Sequence, residues 1–338
     1  MSSASPKGCL DRRGFLQGSG LAVAGLAAVA VGGPVRAAAP LATQQVPGLY
    51  RHRVGPIEVT ALLDGHIGFQ DQALPGLFPD YDAEVAARLR QQAFVLAGAV
   101  PLAVNAYLIN TGPRLILVDA GAAGALGPTL GQLPRNLATA GLTPADVDTI
   151  ILTHAHRDHA AGLLDAQGGA LFPNAELVIA ESELRYWDDD AAMAQARPAI
   201  RAFFAPARQA LAPYRARLRP VQPGQDAAPG VTTVALPGHS PGHSPGHMGV
   251  RVHAGAEQLL LWGDVVHTQA LQMPRPDWSI AFDSDPAQAA ETRRRVFDMA
   301  ATDRLTVAGM HMDFPGIGHV VRRVEGYGFQ PLAWRSAL

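Results

Sequence analysis

The stretch Asp148–Leu163 combines a short apolar run with side chains that bind metals. Thr149–Thr153 is apolar and β-branched, which predicts a buried strand. The residues that follow supply imidazoles and a carboxylate in close succession: His154, His156, Asp158 and His159. These groups are ligands for zinc and similar divalent ions. A polar surface loop is the other interpretation, but so many ligands directly after a buried strand favour a metal site.

Other loops that follow predicted strands carry further metal-binding side chains. The hairpin of Ala103–Asn110 and Arg114–Asp119 ends in Asp119-Ala120-Gly121, Gln258–Leu261 is followed by Gly263-Asp264, and Leu305–Val307 is followed by His311. A tandem of Pro-Gly-His-Ser units contains His239, His243 and His247, and its glycines let the backbone turn tightly near an ion. Together with the first stretch, these loops predict a site for two metal ions.

Strands and helices elsewhere have to position these loops, and their patterns indicate an α/β protein. Further strands are predicted at Pro56–Leu63, which stops at Asp64-Gly65, and at Glu176–Ala180, Val231–Leu236 and Met248–Val252. Helices are predicted at Ala83–Leu96, Pro198–Tyr214 and Asp285–Ala301, and Thr143–Asp146 has the pattern of a helix start. The strands come in two batches, each followed by helices.

The N-terminus is predicted to be an export signal, so residues 1–39 are set apart from the fold. Arg12-Arg13 precedes the apolar run Leu21–Val31, and Ala37 and Ala39 offer a cleavage site. This pattern resembles a bacterial twin-arginine signal, which implies export of residues 40–338 to the periplasm or beyond by the twin-arginine machinery. The apolar run is shorter than the roughly 20 residues of a membrane span, so no stable membrane anchor is expected. Replacing both arginines by lysine should retain the precursor in the cytoplasm.

The composition limits which metal ligands and nucleophiles residues 40–338 can supply. The protein has 338 residues and 1 cysteine, Cys9, which lies within the predicted signal. Residues 40–338 therefore hold no thiolate ligand, disulfide or cysteine nucleophile, and any metal must be bound by histidines and carboxylates. The net charge is −2 and the arginine clusters are flanked by acids, which makes nucleic acid an unfavourable partner. A hydrophobic content of 48% can build a sizeable core, and the pattern shows no second domain.

The order of these motifs resembles that of the metallo-β-lactamase fold superfamily. The match includes Asp119-Ala120-Gly121, the cluster from His154 to His159, the Pro-Gly-His loop, Gly263-Asp264 and His311. The resemblance implies an α/β fold, a four-layer αββα sandwich in which two β-sheets lie back to back with helices outside. It also implies a hydrolase with two divalent metal ions, with zinc expected first and manganese, iron or cobalt as alternatives.

Carried over residue by residue, the resemblance assigns ligands to each metal. Metal one would take His154, His156 and one histidine of the tandem, metal two would take Asp158, His159 and His311, and Asp264 would bridge both. The tandem leaves two registers, with His239 or His243 as the ligand. We favour His243, because the segment from His243 to His247 leads directly into the strand at Met248. His239 would then be an inserted unit, and His247 a structural histidine.

The implied reaction is hydrolysis by a hydroxide that bridges the two metals and attacks a carbonyl carbon or a phosphorus. Asp158 and Asp264 would balance the charge of the ions, and Asp119 would orient a ligand histidine. The sequence offers no evident general acid, which favours substrates with a good leaving group such as a phenolate. The bridging Asp264 argues against a true β-lactamase.

C-terminal motifs extend the resemblance to the methyl parathion hydrolase-like branch. They are Phe314-Pro315-Gly316-Ile317-Gly318-His319, Asp283-Ser284-Asp285 and Gly326-Tyr327-Gly328-Phe329. That branch cleaves phosphotriesters, and its relatives cleave aryl esters or lactones. An apolar pocket would be walled by Trp187, Phe203, Phe204, His267 and Phe282. Since His267 stands where the branch commonly has an aliphatic residue, aryl esters or lactones rank before phosphotriesters.

Two alternatives remain beside a general ester hydrolase. One is an acyl-homoserine lactonase, and the other is a metal-binding protein without turnover, which would bind its metals fully and hydrolyse no ester. The expected partners are a small-molecule ester and the export machinery, and the sequence leaves a homodimer open.

Overall fold

The computed structural model describes residues 39–95, 97–240 and 246–338. Residues Val46–Leu338 form one compact unit. Apart from Ala39, the predicted signal lies outside the described residues, as does His243, and both stay predictions. Among the described residues no helix has the length and apolarity that a membrane crossing requires.

In the described residues the strands form two 7-stranded sheets, and the first follows the order of the sequence. Its strands are β1 (Leu49–Val54), β2 (Ile57–Gln70), β3 (Ala99–Asn110), β4 (Leu115–Val118), β5 (Thr149–Ile151), β6 (Glu176–Ala180) and β7 (Leu218–Val221). Strands β1 to β4 pair antiparallel, whereas β4 to β7 pair parallel. The carboxyl ends of β4 and β5 therefore lie side by side, which brings Asp119 next to the loop that carries His154.

The second sheet contains the later strands in reverse order, from β14 to β8. They are β8 (Asp226–Ala228), β9 (Val231–Ala235), β10 (Met248–Ala254), β11 (Glu257–Leu261), β12 (Thr306–Ala308), β13 (Ile317–Arg322) and β14 (Tyr327–Pro331). Strands β11 and β12 pair parallel, and the other neighbours pair antiparallel. Because β11 and β12 end at the same edge, the loops after them place Asp264 and His311 together.

The helices of the described residues are α1 (Leu74–Leu77), α2 (Ala83–Gln92), α3 (Leu133–Thr139), α4 (Arg157–Ala160), α5 (Glu181–Asp188), α6 (Asp190–Gln195), α7 (Pro198–Leu211), α8 (Gln269–Gln272) and α9 (Pro286–Thr302). Some of these helices, among them α5, α7 and α9, cover the outer faces of the sheets. One apolar cluster, which includes Val59 and Val250, fills the space between the sheets. A second packs α5 and α7 on the first sheet, and a third packs α9 on the second. The predicted αββα sandwich is confirmed.

The prediction that a strand stops at Asp64-Gly65 was wrong, because β2 continues to Gln70 through a bulge between Leu63 and Gly65. Gly65 has a φ of 145°, and a Cβ there would lie 2.0 Å from the carbonyl oxygen of Thr129. The bulge turns the buried Asp64 toward three backbone N–H groups of the loop after β4, those of Ala122, Gly131 and Leu133. The turn residues thus mark a kink that anchors this loop.

Most other predicted elements match the structure to within a few residues. Strand β6 has the predicted limits Glu176–Ala180, and α9 begins after Asp285, whose carboxylate accepts the N–H of Gln288. The predicted helix start at Thr143 forms only a short 3₁₀ turn, Pro144–Asp146, although its capping box is present. The sequence analysis did not identify the edge strands β1, β7, β8 and β14, which are short or half-exposed, or β13, which pairs with β14 and β12.

Candidate metal centre

The first ligand loop begins where β5 ends and is fastened to the loop after β4 by Asp119. The carboxylate of Asp119 accepts hydrogen bonds from the Thr153 N–H and hydroxyl, both at 2.8 Å, and lies 2.8 Å from Nδ1 of His159. Gly162 lets the two loops approach, since a Cβ there would lie 1.8 Å from the Ala120 carbonyl oxygen. Asp119 therefore holds the ring of His159, and the sequence analysis expected a contact of this kind with a ligand histidine.

The carboxylate of Asp264 lies at the middle of the candidate centre. Its Oδ2 is surrounded by Nε2 atoms, at 3.1 Å for His311, 3.2 Å for His159, 3.2 Å for His267, 3.3 Å for His239 and 3.7 Å for His154. One group of potential ligands combines His154, His156 and His239, and another combines Asp158, His159 and His311. Within each group the ligand atoms lie within 4.8 Å of one another. Asp264 therefore lies within 3.7 Å of a nitrogen from each of these two groups.

The donor set fits a pair of divalent metal ions. Nε2 of His154, Nε2 of His159 and Oδ1 of Asp264 are buried without a hydrogen-bond partner. A buried polar atom without a partner costs about 1–3 kcal/mol, so native proteins rarely keep several in one place unless an ion or water binds them. Imidazole nitrogens and carboxylate oxygens are the ligands that zinc and its neighbours accept.

Burial and neighbouring charges shift the pKa values of the candidate ligands in different directions. Burial lowers the pKa of His154 and His156 well below its usual value, so both rings are neutral and free to coordinate. Burial opposes the charge of Asp264, but the neighbouring histidines, His159 and His311 foremost, hold its pKa well below the usual range. Burial would lower the pKa of His159, yet the carboxylates of Asp264, Asp158 and Asp119 raise it well above its usual value. A metal that binds His159 must therefore displace a proton.

Comparison with known proteins identifies the family. The Metallo-beta-lactamase superfamily profile matches residues 99–311, which include all the predicted metal ligands. The chain belongs to this superfamily. It is a metal-dependent hydrolase.

Solved structures of this fold resemble the chain along most of its length. The crystal structure of the hydrolase AbOPH in the beta lactamase superfamily is 33% identical, with a TM-score of 0.80, and the match covers 87% of this chain and 100% of AbOPH. The structure of AidC, a dizinc quorum-quenching lactonase, is 24% identical with a TM-score of 0.78, covering 86% of this chain and 99% of AidC. A probable metal-dependent hydrolase from Staphylococcus aureus is 22% identical with a TM-score of 0.66, covering 85% of this chain and 100% of its own. Among curated protein sequences, none matches the chain.

Besides Asp264, a second carboxylate, that of Asp283, contacts the ring of His239. Oδ1 of Asp283 lies 2.8 Å from His239 Nδ1, and the buried Arg293 reaches Oδ2 of Asp283 at 3.5 Å. Burial would lower the pKa of His239, but the carboxylates of Asp264 and Asp283 raise it to about 9. Arg293 also donates to the carbonyl oxygens of Val265, Pro276 and Trp278. The sequence analysis included Asp283 in a C-terminal motif and Arg293 in an arginine cluster. It did not predict that Asp283 contacts His239 or that Arg293 contacts Asp283.

Glu183 connects the two loops that carry the first group of ligands. The carboxylate is fully buried, accepts the N–H of Ala155 at 2.9 Å and accepts the Ser240 hydroxyl at 2.5 Å. Ala155 lies between His154 and His156, and Ser240 follows His239. Glu183 therefore fixes the spacing between these ligands. Sequence reasoning missed it, although Glu183 lies only three residues after the end of the buried strand β6.

The tandem histidines have separate roles in the described structure. His239 joins His154 and His156 in one candidate metal site, with Nε2 3.1 Å from Nδ1 of His156. His247 has the structural role expected of it, because its Nδ1 lies 2.7 Å from the Leu236 carbonyl oxygen and its Nε2 accepts the Asp264 N–H at 2.9 Å. The preferred ligand His243 lies outside the described residues, and the described geometry favours His239.

Four of the five predicted pocket residues fall into two sets, and the fifth, His267, is 2% exposed and lies beside Asp264 instead of forming an open wall. Phe203 and Phe282 are partly buried and contact each other, and Phe203 lies 5.0 Å from the His156 ring. Trp187 and Phe204 are 0% exposed and belong to the core between the helices and the first sheet. This placement corrects the prediction for these two, since a fully buried ring presents no surface to a substrate. Trp187 instead packs behind His156 and donates its indole N–H to Glu183.

Proposed function

We propose that this hydrolase uses two metal ions to cleave carboxylic esters, with aryl esters and lactones before phosphotriesters. Metal one is bound by His154, His156 and His239, metal two by Asp158, His159 and His311, and both by Asp264. The proposal rests on one observation: Asp264 Oδ2 is within 3.7 Å of a nitrogen from each group. A carboxylate so placed serves as a bridge.

Two bound ions would lower the pKa of a shared water and polarise the oxygen of an ester. The protein's own part is to hold the ligands rigidly, through Asp119 on His159 and Asp283 on His239. The Asp158 side chain is 16% exposed, whereas those of His159, His311 and Asp264 are at most 3% exposed. A substrate therefore approaches the centre beside Asp158.

The substrate class is supported by the apolar rings next to metal one. Phe203 lies beside His156 and contacts Phe282, and both rings retain exposed surface, so they can accept the aryl group or the chain of an ester. By the resemblance, His267 stands where the phosphotriester-cleaving branch commonly has an aliphatic residue. These features favour a planar ester or lactone.

The test combines metal content with turnover. The protein should bind two ions per chain, and kcat/KM should be highest for 4-nitrophenyl acetate or a homoserine lactone and lowest for a methyl phosphotriester. Phe203→Ala should raise KM about tenfold, because an aromatic contact with the substrate is worth roughly 1–1.5 kcal/mol. Phe94→Ala is the control, since this ring is 91% exposed. No turnover above the metal-free protein on any of the three substrates would contradict the proposal.

The ligand register has its own test. His239→Ala should lose one metal and nearly all activity, because an incomplete ligand set binds its ion weakly. His243→Ala should keep both metals. The reverse ranking, as the sequence alone favoured, would move the ligand to His243.

A further inference from the structure

His267 lies inside the candidate centre, although the family motifs do not assign it a metal. Its side chain is 2% exposed, and its Nε2 lies 3.2 Å from the Oδ2 of Asp264. The His267 ring lies between His239, a proposed ligand of metal one, and His311, a proposed ligand of metal two. The ring centroids are 4.7 Å apart for His239 and 5.2 Å apart for His311, and the His267 ring stacks on that of His311. His239, Asp264 and His267 form a group whose ligand atoms lie within 4.8 Å of one another.

Both ring nitrogens of His267 are buried and have no hydrogen-bond partner. This feature separates His267 from His247, another buried histidine beside Asp264, whose two nitrogens are both bonded to backbone groups. It is shared with the ligand nitrogens of His154 and His159. A buried imidazole without a partner is unfavourable unless something binds it.

The fold fixes the position of this ring. The backbone N–H of His267 donates to Oε1 of Gln272 at 2.7 Å. The side-chain amide of Gln272 in turn donates to the Trp278 carbonyl oxygen at 3.1 Å. Gln272 is fully buried. A 3₁₀ turn, Gly263–Val265, precedes His267 and carries Asp264. The loop therefore presents Asp264 and His267 to the same point.

We propose that His267 is an additional ligand of metal one, through Nε2, and this inference rests on the dinuclear centre of the proposed function. Metal one then has His154, His156, His239, His267 and Asp264 as protein ligands. Such a set exceeds the tetrahedral shell typical of structural zinc and suits an ion that accepts more ligands, such as manganese, iron or cobalt. Metal two, with Asp158, His159, His311 and Asp264, keeps a smaller set.

The experiment uses the full-length protein loaded with cobalt(II), and it reads the metals directly. Exchangeable imidazole N–H signals shifted by cobalt are counted by proton NMR, and ligand-field absorption is recorded in parallel. The wild-type protein should show one signal more than the ligands His154, His156, His159, His239 and His311 account for. His267→Leu should remove that signal, change the absorption of one cobalt ion and weaken its affinity more than about tenfold.

His319→Leu is the matched control, because His319 is a half-buried histidine that lies 3.3 Å from the Leu305 carbonyl oxygen and belongs to no candidate metal group of the described residues. It should leave signals and absorption unchanged. Two bound ions without the additional signal in the wild type would overturn the assignment of His267 and leave the proposed function standing. A wild-type protein that binds fewer than two ions would overturn both. The signal count in the wild type needs no variant, so it decides the question even if His267→Leu does not fold.

Discussion

Two histidines of the candidate centre, His159 and His239, each have a carboxylate within hydrogen-bond distance of Nδ1, but the two carboxylates are held differently. Asp119 bonds to His159 and to the N–H and hydroxyl of Thr153, all within the loops after β4 and β5. Asp283 bonds to His239, accepts the N–H of Ile280 and lies next to the guanidinium of Arg293 on α9.

The charges of the two carboxylates differ accordingly. Burial raises the pKa of Asp119, and the opposing effects of His159 and of the hydrogen bonds from Thr153 do not outweigh it. Burial acts on Asp283 as well, but His239 and Arg293 outweigh it and lower the pKa of Asp283 below its usual value. The carboxylate at His159 is thus held by local hydrogen bonds, whereas the carboxylate at His239 also contacts a buried charge from a distant helix. Metal one should be the more sensitive to changes in tertiary packing.

The largest effect is expected when that buried charge is removed. Arg293→Met removes one of the two cations beside Asp283 and takes a donor from each of three carbonyl oxygens, which should lower the free energy of unfolding by about 3–5 kcal/mol. Arg294→Met changes the exposed neighbour and should cost less than about 0.5 kcal/mol. Urea unfolding of the metal-free proteins measures both. Equal stabilities for the two variants would contradict the role given to Arg293.

The next effect separates the two metals. Asp283→Asn should weaken metal one and Asp119→Asn metal two, each by about 10–100-fold, because a histidine that loses its carboxylate partner is a poorer and less oriented ligand. Competition with a chelator gives the two affinities, and the cobalt spectra of His239→Ala and His159→Ala identify which ion is affected. If both variants weakened the same metal, the division of the centre into two sides would be incorrect.

The smallest effect is a pH dependence of metal one. The pKa of His239 is raised from 6.5 to about 9, so in the metal-free protein its charge stabilises the fold fully below pH 6.5, and this contribution is lost as the pH rises through about 9. A metal has to displace that proton, so its affinity should increase with pH up to about 9. Calorimetry in buffers of different ionisation enthalpy counts the protons released. Asp283→Asn should move the upper limit to lower pH, and an unchanged profile would argue against control by Asp283.

The first ligand stretch was predictable from the sequence because its ligands are contiguous and follow a recognisable buried strand. Asp119 was predictable because it also follows a recognisable strand. The choice between His239 and His243 was not, since both are followed by the same residues, Ser-Pro-Gly-His. What distinguishes His239 is tertiary: Asp283 contacts its ring, and Glu183 binds the adjacent Ser240.

The aromatic residues illustrate the same limit. Phe203 and Phe204 are neighbours on α7, yet one faces the centre and the other the core. The composition of the helix predicts that it packs, but which side of it meets the cleft depends on how α7 lies on the first sheet. The bulge at Gly65 was misread for a related reason, because a turn signal in sequence does not tell whether the partner strand continues.

Each sheet is assembled from a continuous half of the chain, and the halves join through the exposed turn at residues 222–225. A chain cut at that turn would leave two fragments, each with a whole sheet. One fragment would carry His154, His156, Asp158 and His159, and the other His239, Asp264, His267 and His311. Neither fragment holds a complete set of ligands for either ion, so the bound metals would link the two fragments. Adding metal should therefore strengthen the association of the fragments, and a chelator should weaken it.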